Sequence, residues 1–208
     1  KVYIWQFISL IVRMLSLLIV IPIISFDKSV YGIYSLILSI QIFLNYGDFG
    51  IFSSVKRFLI EFNDNNHRDF SHLQNFSFFS GFVLWIFFSF LLSIIYFNPD
   101  FLIKDINYQE IDLIKDLILI CSVNGFALIF QKIVAIYYQI NIMDDILKKI
   151  QICGNVLIIL FAFFLDSYDV FNLKMWYLFS SFVQIIVFFI IYINALKRKL
   201  IINHYFFT

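Results

Sequence analysis

A chain of 208 residues in which 62% are hydrophobic and only 14% charged carries too much apolar surface for a soluble domain, where about a quarter of residues are charged. A net charge of +1 excludes the overall basic character with which proteins attract nucleic-acid backbones, so no nucleic acid is expected as a partner. Cys121 and Cys153 both fall inside apolar runs without a His or Cys at ligand spacing, so they read as small hydrophobes; no disulfide framework, metal or cofactor is expected.

Six apolar runs, at 2–24, 30–55, 76–97, 113–140, 146–165 and 176–193, approach or exceed the roughly 20 residues a helix needs to cross a hydrocarbon core about 30 Å thick. A cleavable leader would be one short apolar core, whereas the first run is followed by others of similar length and reads as a span. The expected fold is an all-α polytopic membrane protein of six transmembrane helices, in a single domain over 1–208.

The first run carries Gln6, Ser9, Arg13 and Ser16, whose spacing puts them on one helical face. Arg13 lies about 17 Å from either end, beyond the reach of a snorkelling stem, so it is expected to face protein or water. On the second run Gln41, Asn45 and Asp48 again share one face, one heptad beyond Tyr34. Counting in depth from the shared outer loop sets Gln41 beside Arg13 and Asp48 beside Gln6. Arg13 and Asp48 then differ by roughly 10 Å in height, which predicts two charges on one hydrated wall rather than an ion pair.

The third run holds Ser77, Ser80 and Gly81, small residues suited to close helix packing. The fourth places Asn124, Gln131 and Tyr138 at heptad spacing with Lys132 alongside, a second set of cavity candidates. Asn155, after Gly154 on the fifth, and Gln184 on the sixth read as interhelical hydrogen-bond glue, worth about 0.6 kcal/mol each on average. For the charges the reading reverses: an ionisable group at mid-bilayer costs at least about 2.5 to 3.5 kcal/mol, and its default role is a substrate or ion pathway.

Orientation follows from the basic residues. Lys1, Lys56, Arg57, Arg68, Lys148, Lys149, Lys197, Arg198 and Lys199 collect on one side. The other has Lys28, Lys104, Lys115 and Lys174 diluted by Asp27, Asp100, Asp105, Glu110, Asp112, Asp116, Asp166 and Asp169. The positive-inside rule puts both termini in the cytoplasm. Tyr3, Trp5, Tyr31, Tyr96, Tyr108, Tyr168, Trp176, Tyr177 and Tyr192 fit the aromatic belts at headgroup depth.

Signatures of membrane enzymes are missing from the sequence. His67, His72 and His204 lie outside the apolar runs, and there is no Gly-x-Ser-x-Gly elbow, no His-Glu-x-x-His and no phosphate-cradling glycine loop. The expectation is a protein without enzymatic activity.

Residues 21–62 read IPIISFDKSVYGIYSLILSIQIFLNYGDFGIFSSVKRFLIEF. Pro22 ends the first run, Tyr31-Gly32-Ile33-Tyr34 follows a short turn, and Asp48-Phe49-Gly50 leads to Lys56-Arg57 and Glu61. This pattern resembles the start of the polysaccharide-biosynthesis flippases, the O-antigen translocases of the multidrug/oligosaccharidyl-lipid/polysaccharide flippase superfamily. The resemblance implies movement of undecaprenyl-diphosphate-linked oligosaccharide across the bacterial inner membrane, in a fold of two six-helix lobes with the path between them.

This chain has one lobe's worth of helices, opens on Lys1 rather than Met and ends on a basic tail. The expectation is an N-terminal lobe whose partners are a C-terminal lobe, membrane lipid, the lipid-linked oligosaccharide and a polysaccharide polymerase. The resemblance matches the family's cavity-lining basic position to Arg13 and its second-helix motif to Asp48 and Gly50. A guanidinium suits a diphosphate because it offers two parallel donors. Two alternatives stay open: a drug or metabolite exporter of the same fold, and a six-helix vitamin-binding subunit of an energy-coupled importer.

Overall fold

The computed structural model describes residues 2–24, 28–62, 67–99, 108–165 and 170–201; within them there are helices and no strand. The helices are α1 (Val2–Ile24), α2 (Lys28–Tyr46), α3 (Ile51–Phe62), α4 (His67–Phe97), α5 (Tyr108–Ile140), α6 (Asp144–Ala162) and α7 (Val170–Lys197).

Four stretches are long and apolar enough to cross a membrane: Tyr31–Glu61, Phe70–Phe97, Ile111–Ile140 and Leu173–Lys197. The chain is therefore a multi-pass, membrane-embedded helical protein. Among the described residues α1 and α6 do not meet that measure. In α6 the reason is visible: Asp144, Asp145, Lys148 and Lys149 fill its first turns, leaving an apolar remainder, 150–162, about 20 Å long.

The second predicted span is interrupted. α2 stops at Tyr46, the chain turns through Gly47–Gly50 with Phe49 at φ 47° and Gly50 at φ 79°, and α3 resumes at Ile51. A left-handed conformation is natural for Gly50 and uncommon for Phe49, so the break is held by its surroundings. The new helix is supported from within the turn, where Ser53 Oγ donates to the Gly50 carbonyl at 2.7 Å and Ser54 N does so at 3.0 Å. α3 is amphipathic, burying Phe52, Val55 and Leu59 while Arg57, Phe58 and Glu61 stay exposed.

α5 is the axis of the bundle. Leu113, Ile114, Leu117, Ile118, Cys121, Ala127, Ile133, Val134 and Tyr137 are all buried, the pattern of a helix enclosed on most sides, and α7, α4 and α2 pack around it. Against α4 it runs antiparallel: Ser77 Oγ lies 2.9 Å from the Tyr137 hydroxyl, and the Trp85 indole donates to the Ser122 carbonyl at 3.0 Å. The small residues predicted for close packing lie in this contact, where a Cβ on Gly81 would collide with the Ile133 side chain.

Against α7, α5 runs parallel, with Asp116 paired to Lys174, Gln131 to Gln184 and Tyr138 to Asn194. Both helices end in the same way. Ile142 and Lys199, each at φ 56°, take the left-handed position, and the following residues, Met143 and Leu200, donate back to Tyr138 and Ala195 at 2.8 and 3.0 Å. Trp176 and Tyr177, expected at the membrane interface, are instead buried against Tyr34 of α2 at ring distances of 6.2 Å.

Among the described residues α1 packs chiefly on α6, and α6 in turn packs on α7. Gln6 and Ser9 of the expected wall thus sit beside α6, and the side chains that would complete the wall, Arg13 and Ser16, lie outside the described residues.

Candidate functional site

A polar cavity of about 540 Å³ opens among α2, α5, α6 and α7. Each helix presents one face to it. α5 contributes Gln131, Lys132 and Gln139, α6 contributes Lys148, Gln151 and Asn155 at spacings of three and four, α2 contributes Asn45 and Tyr46, and α7 contributes Gln184. Six carboxamides and two lysines face one space in a largely apolar bundle. A wider groove of about 690 Å³ between α2 and α4 is lined mostly by Leu, Ile and Phe, and offers a ligand little beyond what lipid tails already provide.

Two contacts organise the polar cavity. Gln131 is buried, and its Nε2 donates to the Gln184 backbone carbonyl at 2.8 Å and to Gln184 Oε1 at 3.2 Å, tying α5 to α7 at the cavity wall. Lys132 reaches across to α2. Its Nζ stands 2.9 Å from Asp48 Oδ1, donates to the Asn45 carbonyl, and lies 6.0 Å from the ring centroids of both Tyr46 and Phe52.

The geometry has a clear cause. The last carbonyls of α2 lack intrahelical donors, and the C-terminal end of a helix carries partial negative charge, so a cation there is stabilised twice over. Asp48, in the turn just beyond, completes the pairing. The Lys132 side chain is still 36% exposed against 17% for Asp48, so the cation faces the cavity while the carboxylate sits behind it.

The remaining candidates lie elsewhere. Gln6 donates to Asp144 Oδ2 at the start of α6 at 3.0 Å, and Ser9, three residues on, is buried. A buried carboxylate needs a donor, which accounts for Gln6 turning to α6 rather than towards Asp48. Gln41 faces α5, with Nε2 3.9 Å from Cys121 Sγ, and Asn124 is buried on α5 with Oδ1 unpartnered among the described residues; neither lines the cavity. The side chains of Arg13 and Ser16 lie outside the described residues.

The cavity thus unites Asn45, Gln131 and Lys132, with Asp48 behind, from the expected set. Sequence reasoning missed Gln139 and Gln151 altogether, counted Lys148 only as a topology marker, and read Asn155 and Gln184 as glue. The signal available was the recurrence of polar residues at 148, 151 and 155, one face of a helix otherwise apolar after its first turns. Among the described residues no three His, Cys, Asp or Glu side chains gather as a metal site.

Fold and site together define a multi-pass helical membrane protein with a lysine-bearing polar cavity. Compared with family profiles, curated proteins and solved structures, the chain matches none.

Proposed function

We propose that this chain is one lobe of a lipid-linked oligosaccharide flippase, moving undecaprenyl-diphosphate-linked sugar units for O-antigen or similar polysaccharide across the bacterial inner membrane. The observation that carries the reading is the polar cavity. Carboxamides match the donor and acceptor pattern of sugar hydroxyls, and Lys132 and Lys148 supply cations for diphosphate oxygens. Arg13 remains a proposed third cation. The work is binding and release between two exposures, with no covalent step.

Helix directions support α6 as a further crossing, while both termini inside rests on where the basic residues collect. α5 and α7 run parallel, and each is long enough to span, which favours α6 as the segment that returns the chain between them although its own first turns are charged. A second six-helix lobe and a polysaccharide polymerase are the proposed partners.

The test is export in cells. With export normalised to membrane abundance, the protein with Lys132→Gln and Lys148→Gln together should accumulate lipid-linked oligosaccharide on the cytoplasmic face and lose surface polysaccharide. Unchanged surface polysaccharide would end the assignment.

A further inference from the structure

We infer that the α2–α3 break is a hinge clamped by Lys132, and that an anionic phosphate group entering the cavity releases it by competing with Asp48 for that cation. The inference rests on reading the cavity as an anion site.

Lys132 belongs to both structures at once. It lines the cavity beside Asn45 and Gln131, and it is the group from α5 that grips the break, touching the carbonyl of Asn45 before it and the carboxylate of Asp48 within it. The rings of Tyr46 and Phe52, the last residue of α2 and the second of α3, flank the same ammonium at 6.0 Å.

The clamped segment is conformationally unusual, with Phe49 and Gly50 both at positive φ. Such a backbone persists where its surroundings hold it, and it is a natural place for a discrete change when they let go. An ammonium has three donors but one charge, so a dianionic phosphate drawing it into the cavity leaves Asp48 and the Asn45 carbonyl without their cation. A ligand shifts a two-state hinge only by its differential affinity for the two states, and here the shared lysine supplies that difference.

The experiment uses the full chain in lipid nanodiscs, with Cys121→Ala and Cys153→Ser as background and spin labels at Glu61→Cys on α3 and Ile142→Cys in the α5–α6 turn. The label-to-label distance is read without ligand, with inorganic pyrophosphate, and with farnesyl diphosphate, while binding is measured separately by calorimetry. The hinge predicts a second distance population when ligand binds. A shift with both probes assigns the trigger to the diphosphate group, and a shift with farnesyl diphosphate alone assigns it to a lipid-borne one.

The sign of one substitution separates competition from simple structural support. Asp48→Asn removes the competitor, so diphosphate should bind about tenfold more tightly, the size expected for one charge-assisted contact, and the ligand-free protein should already populate the second distance. Lys132→Gln should lose both binding and shift. Ligand bound by the unsubstituted protein with no change in distance overturns the hinge and leaves the cavity reading standing, as does unchanged or weaker binding by Asp48→Asn. Binding of neither probe overturns both.

Discussion

Replacing Lys132 by Met keeps the length of the stem and removes the charge, leaving Asp48 and the Asn45 carbonyl without their donor. At the observed 2.9 Å, an effective dielectric of about 20 gives a gross Coulomb attraction of about 6 kcal/mol. Desolvation offsets much of it, and breaking a fully buried pair costs about 3 to 5 kcal/mol. With 36% of the lysine side chain exposed, solvent screening lowers the expected loss to about 1 to 3 kcal/mol. The assay is a double-mutant cycle of Lys132→Met and Asp48→Asn, read by unfolding in mixed detergent with membrane abundance as a parallel measure. The double variant should be more stable than the sum of the single losses predicts, by about 1 to 2 kcal/mol. Strict additivity would refute the pairing and, with it, the account of why the chain breaks at Gly47–Gly50.

Gly81→Ala should weaken the α4–α5 contact by about 1 to 3 kcal/mol through overpacking against Ile133, and Ile133→Val should restore part of the loss; thermal stability in detergent checks both. Cysteines introduced near Lys28, Lys104 and Lys174 should label from outside intact cells and those near Arg68, Lys148 and Arg198 should not; the reverse pattern at any one site breaks the six-crossing topology. Arg13→Ala should abolish surface polysaccharide without lowering membrane abundance, because removing a mid-bilayer charge eases insertion, and Arg13→Lys should retain part of the export. Normal export by Arg13→Ala removes that residue from the site.

Hydropathy made the bundle legible because a helix that crosses hydrocarbon must be apolar over most of its length. α1 falls on its expected limits, while α5 begins five residues earlier than expected and α7 extends six residues earlier and four later, through flanks with charged residues that hydropathy excludes. The break in the second span was hidden for the same reason. Tyr46, Phe49 and Ile51 keep the run apolar on average around Gly47, Asp48 and Gly50 while the backbone turns, and the partner that stabilises the turn, Lys132, lies far along the chain.

The site was legible in part. Depth along a helix can be counted from sequence, which set Asp48 and Gln6 at one level. Lateral neighbours cannot be counted that way, and α1 went to α6, where Asp144 needed a donor, while Asp48 found Lys132. Asn155 and Gln184 look like isolated amides when each helix is read alone. Only the juxtaposition of α5, α6 and α7 shows that they share a wall with two lysines.

On the proposed function, the cavity among α2, α5, α6 and α7 holds the polar head of a lipid-linked oligosaccharide. Its most direct test is a photo-crosslinking amino acid placed at Gln151, inside the cavity, and at Val156, which lies on the exposed side of the same helix. In cells making labelled oligosaccharide, capture of the lipid-linked sugar at Gln151 and not at Val156 is the predicted result. Equal capture at both positions, or none at Gln151, would contradict the account.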